Sequence, residues 1–465
     1  MTVSASTALV ADPYFLRLKS LVIETTGMAF YADKDEDLAR IVAARMAECA
    51  VVACVSYLDL IADPVLGRDE MDALVAELTI GETYFFRHKE QFDALRDIIL
   101  PDVLARNQSV RRLRIWSAGC SIGPEPYSLA ILLKREFGTR LAGWHVSIVG
   151  TDINQKFLAR AREGRYDEWA FRATPDDVRR DCFERVGKQW VIRPEYQSLV
   201  SFQYHNLIRN RFPSLIDNIA GLDIIICRNV VIYFSQETVE ALVPCFRETL
   251  VDGGWLVMGH AEPNMELFRD FRTVNTPGAV LYQRVDQPAP QCTPMPILQP
   301  VVPVLPKPDL RRSRLPLRTA PPAAVKTAPA APHPEGLARV RELADQGRFA
   351  DALVACDALI AANALDPRSH FYRALVLEQQ GDREGCETSL RRAIYLDRHF
   401  VLPHYHLALF LWRRNEGQGA QRSFRNVLAL LDRLPDDHVL DTGDSITAGQ
   451  LRETVAMHLE LIGAS

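Results

Sequence analysis

The fold is decided by residues 114–133, which read RIWSAGCSIGPEPYSLAILL. A short apolar run at 114–116 is followed by small residues up to Gly123, and then by an apolar helical pattern that starts near Pro124. Proline suits the first position of a helix, and glycines let the backbone come close to a ligand. This order of strand, small-residue loop and helix start predicts a nucleotide-type site at the carboxyl edge of a sheet.

The flanking sequence continues this alternation of strands and helices. Apolar runs that predict strands read LRIW, HVSIVG, LDIIIC and GWLVMG, and helical patterns occupy 126–137, 154–162 and 236–250. Two strands are expected around the turn at Pro277-Gly278, and further strands between 183 and 204. Residues 13–100 instead carry helical periodicity. Together these patterns predict an α/β core with a parallel sheet and crossover helices behind a helical N-terminal domain.

The C-terminal part of the chain repeats itself. Positions 34 residues apart carry matching small or apolar residues, as at Val340, Ala374 and Ala408. A 34-residue period is typical of tetratricopeptide repeats, whose helix pairs bury their faces by stacking on neighbouring pairs. We predict three repeats and a last helix near 447–462. An irregular helical bundle is the alternative interpretation.

A proline-rich segment separates the core from the repeats. Residues 287–334 hold 14 of the chain's 28 prolines, and proline removes hydrogen-bond donors and restricts the backbone. The segment is therefore expected to be an extended linker. The predicted domains are a helical N-terminal domain at 1–100, a core at 101–286, this linker, and the repeats at 335–465.

The overall composition is that of a water-soluble globular protein. The chain has 465 residues with a net charge of −5, which argues against a general nucleic-acid binder. No apolar stretch reaches the roughly 18 residues of a membrane span, and the N-terminus lacks the pattern of a signal peptide. We therefore expect a cytoplasmic protein without membrane insertion. The nine cysteines are scattered, so no metal site is predicted.

Two acidic residues stand at the predicted site, one at a strand end and one at a helix start. Asp152 ends the second strand, where a carboxylate can accept hydrogen bonds from both hydroxyls of a ribose, although it could instead cap the next helix. Glu125 would repel a pyrophosphate and suits a ligand with an amine or a cation, and S-adenosylmethionine has both. A dinucleotide site is less favoured, since Gly119 and Gly123 do not form the GxGxxG pattern.

Four separated segments resemble CheR-type chemoreceptor methyltransferases. Residues 116–133 are similar to the family's cofactor loop, and LTIGETYFFRHKEQF at 78–92 is similar to its first signature. The segments GTDINQKFLARAREGRYDEW and LDIIICRNVVIYF follow in the family's order. The resemblance covers about residues 13–285. It implies a Rossmann-like, S-adenosylmethionine-dependent methyltransferase that esterifies glutamates of chemoreceptors, with a β-subdomain near 183–204 and, in one subgroup, C-terminal tetratricopeptide repeats.

The resemblance also implies the site residues. Arg87 and Tyr233 would lie near the transferred methyl group. Within the cofactor site, Glu125 would face the amino-acid portion of the cofactor, Asp152 the ribose, and Asn206-Leu207 the adenine. The full set of implied cofactor residues is Gly81, Thr83, Arg87, Glu125, Asp152, Asn206, Leu207, Arg228 and Asn229. Two positions depart from the family pattern, since Gly81 replaces an asparagine and Pro124 a glutamate.

The chemistry fits these residue types. A glutamate side chain is already ionised at pH 7, so its methylation needs no general base. The Arg87 guanidinium could hold one carboxylate oxygen, and positioning would supply much of the rate. Simpler structural roles stay open: Arg87 as a surface ion-pair residue, Tyr233 as a core aromatic, Phe85 and Phe86 as packing residues. His260, after a strand tip, is a weak site candidate.

The expected partners are the cytoplasmic helices of methyl-accepting chemoreceptors. Residues 11–80 hold 13 acidic and 6 basic residues, whereas family members that dock through this domain are often basic there. Some members also bind a receptor tail at the β-subdomain by strand addition. The repeats could bind another protein or the body of the same chain. A non-catalytic adaptor is the main alternative function, and a methyltransferase for small molecules or nucleic acids is a weaker one.

Overall fold

The computed structural model describes residues 5–63, 67–286, 334–414, 416–440 and 446–463. Apart from Pro334, the predicted proline-rich linker lies outside the described residues. Within these ranges, no helix is both long and apolar enough to cross a membrane. A helical N-terminal region, an α/β core and a helical tail follow one another, which confirms the predicted fold class.

Seven helices precede the first strand. They bury an apolar face that includes Leu38 and Val42, as the periodicity predicted. Arg45, on the same face, donates from Nε to Glu70 Oε1 at 3.0 Å, so this buried charge is paired. A π-helical turn, Leu95–Ile99, joins the last two helices. The helices are α1 (Ala5–Val10), α2 (Phe15–Thr26), α3 (Asp35–Glu48), α4 (Cys54–Ala62), α5 (Arg68–Leu78), α6 (Lys89–Ala94) and α7 (Leu100–Arg106).

The core contains ten strands in two sheets. The main sheet has the order β6-β2-β1-β7-β8-β10-β9. The first five strands in this order are parallel to one another, and β10 pairs antiparallel with both β8 and β9. Its strands are β1 (Arg112–Ala118), β2 (His145–Asp152), β6 (Val200–Tyr204), β7 (Leu222–Cys227), β8 (Leu250–Met258), β9 (Arg272–Thr276) and β10 (Ala279–Gln283). The four apolar runs quoted above and the strands around the Pro277-Gly278 turn belong to this sheet.

The main sheet is buried on both faces. Along β7, Ile224 and Ile226 join one apolar cluster, while Ile225 and Cys227 join another on the opposite face. This is why the central strands appear in the sequence as uninterrupted apolar runs. Residues of α8 (Pro124–Phe137) and α9 (Gln155–Glu163) join the first cluster and residues of α12 (Gln236–Thr249) the second, so helices cover both faces. Two shorter helices, α10 (Asp176–Cys182) and α11 (Pro194–Gln197), lie between α9 and α12 in the chain.

The predicted extent of the small sheet was partly wrong. Its three strands, in the order β3-β5-β4, are β3 (Arg165–Tyr166), β4 (Phe183–Val186) and β5 (Gln189–Ile192). The segment at 200–204 instead pairs in parallel with β2 and forms the edge of the main sheet. Its central residue, Phe202, is buried beside Gly150 of β2, and this packing places the strand in the main sheet.

The tail consists of helix pairs with the predicted period. The second helices of the three pairs begin at Phe349, Arg383 and Gly417, which are 34 residues apart, and a last helix follows. The helices are α13 (Pro334–Asp345), α14 (Phe349–Ala362), α15 (Pro367–Gln380), α16 (Arg383–Leu396), α17 (Val401–Arg413), α18 (Gly417–Leu431) and α19 (Ala448–Gly463). This spacing agrees with tetratricopeptide repeats.

The repeats pack against the core of the same chain. Leu215 and Ile216 of the core join the apolar cluster of the repeats, and the Leu215 N–H donates to Asp345 at 3.0 Å. A Cβ on Gly221 would lie 2.9 Å from the Gly347 Cα, so the two backbones touch. The first repeat is therefore docked at the amino edge of the main sheet, opposite the carboxyl edge.

Candidate active site

The candidate site lies at the carboxyl edge of the main sheet. Here β1, β2 and β7 end side by side, with Ala118 aligned with Thr151 and with Cys227. The N–H groups of Gly119 and Cys120 both donate to the Thr151 carbonyl, at 2.8 and 2.9 Å. Gly119 has a φ of 75°, a left-handed conformation that favours glycine. This sharp turn leaves a cleft in front of the strand ends.

Two adjoining cavities occupy this cleft. The Asp152 cavity is lined by Asp152, Asn206 and Leu207 together with residues of the N-terminal region, and the Glu125 cavity by Thr83, Arg87, Glu125 and Arg228. The residues that line both cavities, and so mark where they meet, are Ile80, Gly119, Ser121, Asn229 and Tyr233. Nine of the ten predicted site residues therefore border the cleft, and Gly81 is the exception.

Asp152 is held by backbone donors at the end of β2. Its Oδ2 accepts the N–H of Ser121 and its Oδ1 the N–H of Asn154, both at 2.8 Å. Burial raises the pKa of Asp152 to about 6, although these N–H groups oppose the shift. Asn154, not Asp152, caps α9, because its side chain accepts the Phe157 N–H. The Asp152 carboxylate is thus oriented in the cavity and keeps lone pairs for further donors.

Glu125 stands at the start of α8 and faces Arg228. Its Oε1 accepts from Ser117 Oγ at 2.7 Å and its Oε2 from Arg228 Nη1 at 3.1 Å. Burial raises the pKa of Glu125 and lowers that of Arg228, while their pairing opposes both shifts. Arg228 Nη2 also donates to the backbone carbonyl of Arg87. Arg228 therefore links the α8 start to the segment that carries Arg87.

Glu262 organises the loop after β7 and was not singled out from the sequence. Its Oε2 accepts the Asn229 N–H at 3.1 Å and the Gly259 N–H at 2.5 Å, and its Oε1 accepts the Val230 N–H at 3.0 Å. Asn229 has a φ of 58°, which is uncommon outside glycine. The buried Glu262 carboxylate thus holds Asn229 in this conformation at the junction of the two cavities. The nearby His260 was the candidate that the sequence offered in this loop.

Two buried polar atoms at this junction lack protein partners. Within the described part of the chain, Ser121 Oγ and Asn229 Oδ1 have no hydrogen-bond partner. Buried polar atoms are normally satisfied, so these two fit a polar ligand. With the carboxylates of Asp152 and Glu125 on either side, the cleft offers acceptors for the hydroxyl and amine groups of S-adenosylmethionine.

Arg87 and Tyr233 lie beside the Glu125 cavity. Arg87 Nη1 donates to the Glu82 carbonyl at 2.8 Å, and no carboxylate within the described ranges forms an ion pair with Arg87. Tyr233 is half-buried, and its ring meets Phe30 edge-on at 5.7 Å. By contrast, Phe85 is fully buried among other aromatic rings, which supports its predicted packing role.

The remaining predicted residues have largely local roles. Asn206 lines the Asp152 cavity, but its Nδ2 donates to the Thr25 carbonyl at 2.8 Å and its Oδ1 accepts the Ile208 N–H at 2.9 Å. A Cβ on Gly81 would lie 2.6 Å from the Phe157 ring. The Phe157 ring therefore occupies the space that a side chain at position 81 would need. Phe157 also lines the Asp152 cavity.

The N-terminal region closes one side of the Asp152 cavity. Thr26, the last residue of α2, lines it together with Met28 and Phe30, which follow that helix. These contacts could not be predicted from the sequence, because they arise from the packing of two regions far apart in the chain. No motif in residues 24–31 points to a ligand, although the glycine at 27, with a φ of 76°, marks the turn that brings them there.

The chain is similar to known methyltransferases. Residues 81–280 match the family model described as CheR methyltransferase, SAM binding domain. A chemotaxis protein methyltransferase of Listeria innocua is 35% identical over 192 residues, which cover 41% of this chain and 69% of that protein. The probable biofilm formation methyltransferase WspC of Pseudomonas aeruginosa is 26% identical over 366 residues, which cover 76% of this chain and 84% of that protein.

Solved structures are similar to part of the chain. The translocator chaperone SycD of Yersinia enterocolitica is 17% identical, with a TM-score of 0.25, and covers 28% of this chain and 82% of its own. The Sgt2 TPR domain of Aspergillus fumigatus is 16% identical, with a TM-score of 0.23, and covers 29% of this chain and 85% of its own. With scores this low, the assignment of the tail rests on its own helix spacing.

Proposed function

The chain belongs to the CheR family of chemotaxis methyltransferases and uses S-adenosylmethionine, and from this premise we propose that it methylates glutamate side chains of methyl-accepting chemotaxis-type receptors. The product is a glutamate γ-methyl ester. The acceptor glutamate is presented by the cytoplasmic helices of the receptor. The chemotaxis protein methyltransferases among the relatives support a receptor substrate.

One observation carries the proposal: the two cavities meet at Ser121 and Asn229, with Arg87 and Tyr233 beside the junction. A cofactor held between Asp152 and Glu125 would therefore lie next to a cationic group. In this assignment Arg87 and Tyr233 serve the acceptor, and the cofactor is held by Thr83, Glu125, Asp152, Asn206, Leu207, Arg228 and Asn229. We do not include Gly81, because it borders neither cavity.

The residues of the chain act by binding and positioning. When bound, S-adenosylmethionine supplies an electrophilic methyl group on a sulfonium sulfur. The acceptor carboxylate is ionised at neutral pH, so no side chain needs to remove a proton. The Arg87 guanidinium binds one acceptor oxygen and orients the other. Phe30 and Tyr233 exclude water, which strengthens these electrostatic interactions. Holding both reactants in register can lower the barrier by several kcal/mol, roughly 7–11 at the upper limit.

The test is transfer of tritiated methyl groups to membranes that contain candidate receptors, followed by mild base treatment. We expect label that is released as methanol, because carboxyl esters are base-labile. Arg87→Ala should abolish transfer and leave the affinity for S-adenosylhomocysteine nearly unchanged. Arg140→Ala is the matched control, since Arg140 is exposed after α8, at the other end of the sheet.

Two results would contradict the proposal. Label that resists mild base excludes a glutamate ester, and wild-type transfer by Arg87→Ala removes Arg87 from the mechanism. Calorimetry with S-adenosylhomocysteine separates the enzyme from the alternative of a non-catalytic adaptor. The adaptor predicts no saturable binding, whereas the unpaired polar atoms at Ser121 and Asn229 predict binding.

A further inference from the structure

A second cleft lies between the main sheet and the repeats. We call it the edge cleft; its volume is about 330 Å³, within the range of ligand-binding pockets. Its core wall includes residues 198–203 of β6 and the preceding turn, and its opposite wall includes residues of α15, α17 and α19. Protein interiors seldom leave voids much larger than a water molecule. The edge cleft is larger than such voids, so it can hold part of a bound segment.

One wall of the edge cleft is the open edge of the sheet. On the side that faces β2, the residues that flank β6 bond to that strand. The Leu199 carbonyl accepts the Ile148 N–H, and the His205 N–H donates to the backbone carbonyl of Asp152. Because residues of a parallel strand alternate in direction, the main-chain groups of Val200 point the other way. Val200 lines the edge cleft. The Phe202 carbonyl, which points to the same side, already accepts a hydrogen bond from Arg162, so Val200 is the position at which another strand can pair with this edge.

The facing wall is an apolar stripe on the third repeat. Tyr405, Leu409 and Trp412 stand at helical positions i, i+4 and i+7 of α17, and all three are partly buried and line the edge cleft. The imidazole of His458, on α19, also lines it, and its Nδ1 is buried without a hydrogen-bond partner in the described part of the chain. This wall offers apolar contacts and one unsatisfied polar atom.

Hydrogen bonds hold the repeats against the rest of the chain. Gln379 Nε2 donates to Asn218 Oδ1 at 3.1 Å, and both residues line the edge cleft; Arg112 also donates to the Gln379 carbonyl. Farther along the chain, Arg68 Nη1 of α5 donates to Thr447 Oγ1 at 2.9 Å. The edge cleft therefore lies in an arrangement that specific contacts hold.

The charges that line the edge cleft favour an acidic occupant. Arg114, Arg162 and Arg413 contribute three guanidinium groups, and Glu378 is the one carboxylate among the described lining residues. Arg413 is paired with Glu378, and Arg162 Nη2 donates to the Phe202 carbonyl at 3.0 Å. Arg114 Nη2 donates to Asn218 Oδ1 at 2.7 Å, so all three guanidinium groups are held in place. The net charge of the lining side chains is positive, which complements a carboxylate on the occupant.

We propose that the edge cleft binds an extended, acidic segment of a partner protein, which pairs with β6 as an eighth strand of the main sheet. Main-chain hydrogen bonds to Val200 supply part of the affinity, as in other cases of strand addition. Apolar side chains of the segment pack on Leu409 and its neighbours, and an acidic side chain faces the guanidinium groups. The site is separate from the small sheet and from the cofactor cleft.

The experiment selects peptides on the full-length protein from a random octapeptide phage library, and measures the enriched sequences as synthetic fluorescein-labelled peptides by fluorescence anisotropy. We expect sequences that alternate apolar residues with at least one Asp or Glu. Val200→Pro removes an outward N–H without removing a bond to β2, and should weaken binding about tenfold. Leu409→Asp places a charge on the apolar wall and should abolish binding.

The control variant is Val354→Asp, which carries the same kind of change on α14, where Val354 is 70% exposed. It should bind the peptides as the wild type does. All three variants should keep the wild-type far-ultraviolet circular dichroism spectrum and receptor methylation. The proposal is overturned if no peptide is enriched, or if enriched peptides bind Leu409→Asp as tightly as the wild type. In those cases the repeats only cover the sheet edge.

Discussion

Glu262 gives the sharpest test of how the cofactor cleft is built. Its carboxylate accepts three backbone N–H groups, those of Asn229, Val230 and Gly259, and only 9% of Glu262 is exposed. Each buried donor that loses its partner costs about 1–3 kcal/mol. Water can enter the space left by an alanine, so we take the lower bound. Glu262→Ala should then lower the free energy of unfolding by about 3 kcal/mol.

The effect on the cleft follows from the position of Asn229. Without Glu262, Asn229 is free to leave its left-handed conformation, and the affinity for S-adenosylhomocysteine should fall about tenfold or more. Glu262→Gln keeps one carbonyl oxygen for two of the N–H groups and turns an NH₂ towards the third. Its cost should therefore be about 1 kcal/mol, between wild type and alanine. Glu266→Ala, on an exposed side chain of the same loop, is the control.

Urea unfolding followed by circular dichroism gives the free energies, and isothermal titration calorimetry gives the affinities. The order expected in both assays is wild type, Glu262→Gln, Glu262→Ala. If Glu262→Ala unfolds within about 0.5 kcal/mol of the wild type, the usual range for surface substitutions, and binds S-adenosylhomocysteine equally well, then Glu262 does not hold the loop.

Three further predictions concern other parts of the molecule. The affinity for S-adenosylhomocysteine should fall about tenfold per pH unit below pH 6. The reason is that the pKa of Asp152 is raised to about 6, so that protonation below this pH removes the ionised acceptor. Calorimetry on Asp152→Asn should show weaker binding without this pH dependence. Gly81→Asn should lower the midpoint of thermal unfolding, because its Cβ would lie 2.6 Å from the Phe157 ring. We expect a loss of stability of about 1–3 kcal/mol. Adding Phe157→Ala should restore much of this loss if the overlap is its cause. Gly221→Ala should speed cleavage between core and repeats in limited proteolysis, because the φ of 60° at Gly221 and the contact with Gly347 leave no room for a Cβ. An unchanged cleavage rate would show that this contact does not hold the repeats against the core.

The main elements of the fold could be predicted from local pattern. The strand at 222–227 is buried on both faces, so it stands out as an apolar run, and the helix from Pro124 begins where proline and the preceding glycine predict it. The 34-residue period survives because each repeat packs on the next in the same way. The strand at 200–204 was assigned to the wrong sheet because its short apolar alternation does not say which neighbour it pairs with.

Much of the site could be predicted for a related reason, since Asp152 ends a predicted strand and Glu125 begins the predicted helix after another. What could not be predicted depends on contacts between distant segments. Glu262 reaches Asn229 only because the chain reverses after β8, and Phe30 reaches the cavity only because the N-terminal helices pack against the core. Neither contact leaves a periodic pattern. The role of Gly81 likewise became clear only with the position of Phe157.

The contact between Gly221 and Gly347 has a consequence for recruitment. It fixes the first repeat beneath the ends of the strands that are farthest from the cofactor cleft. A partner that binds the repeats on the side away from the core would therefore leave the cofactor cleft open on the opposite side of the molecule.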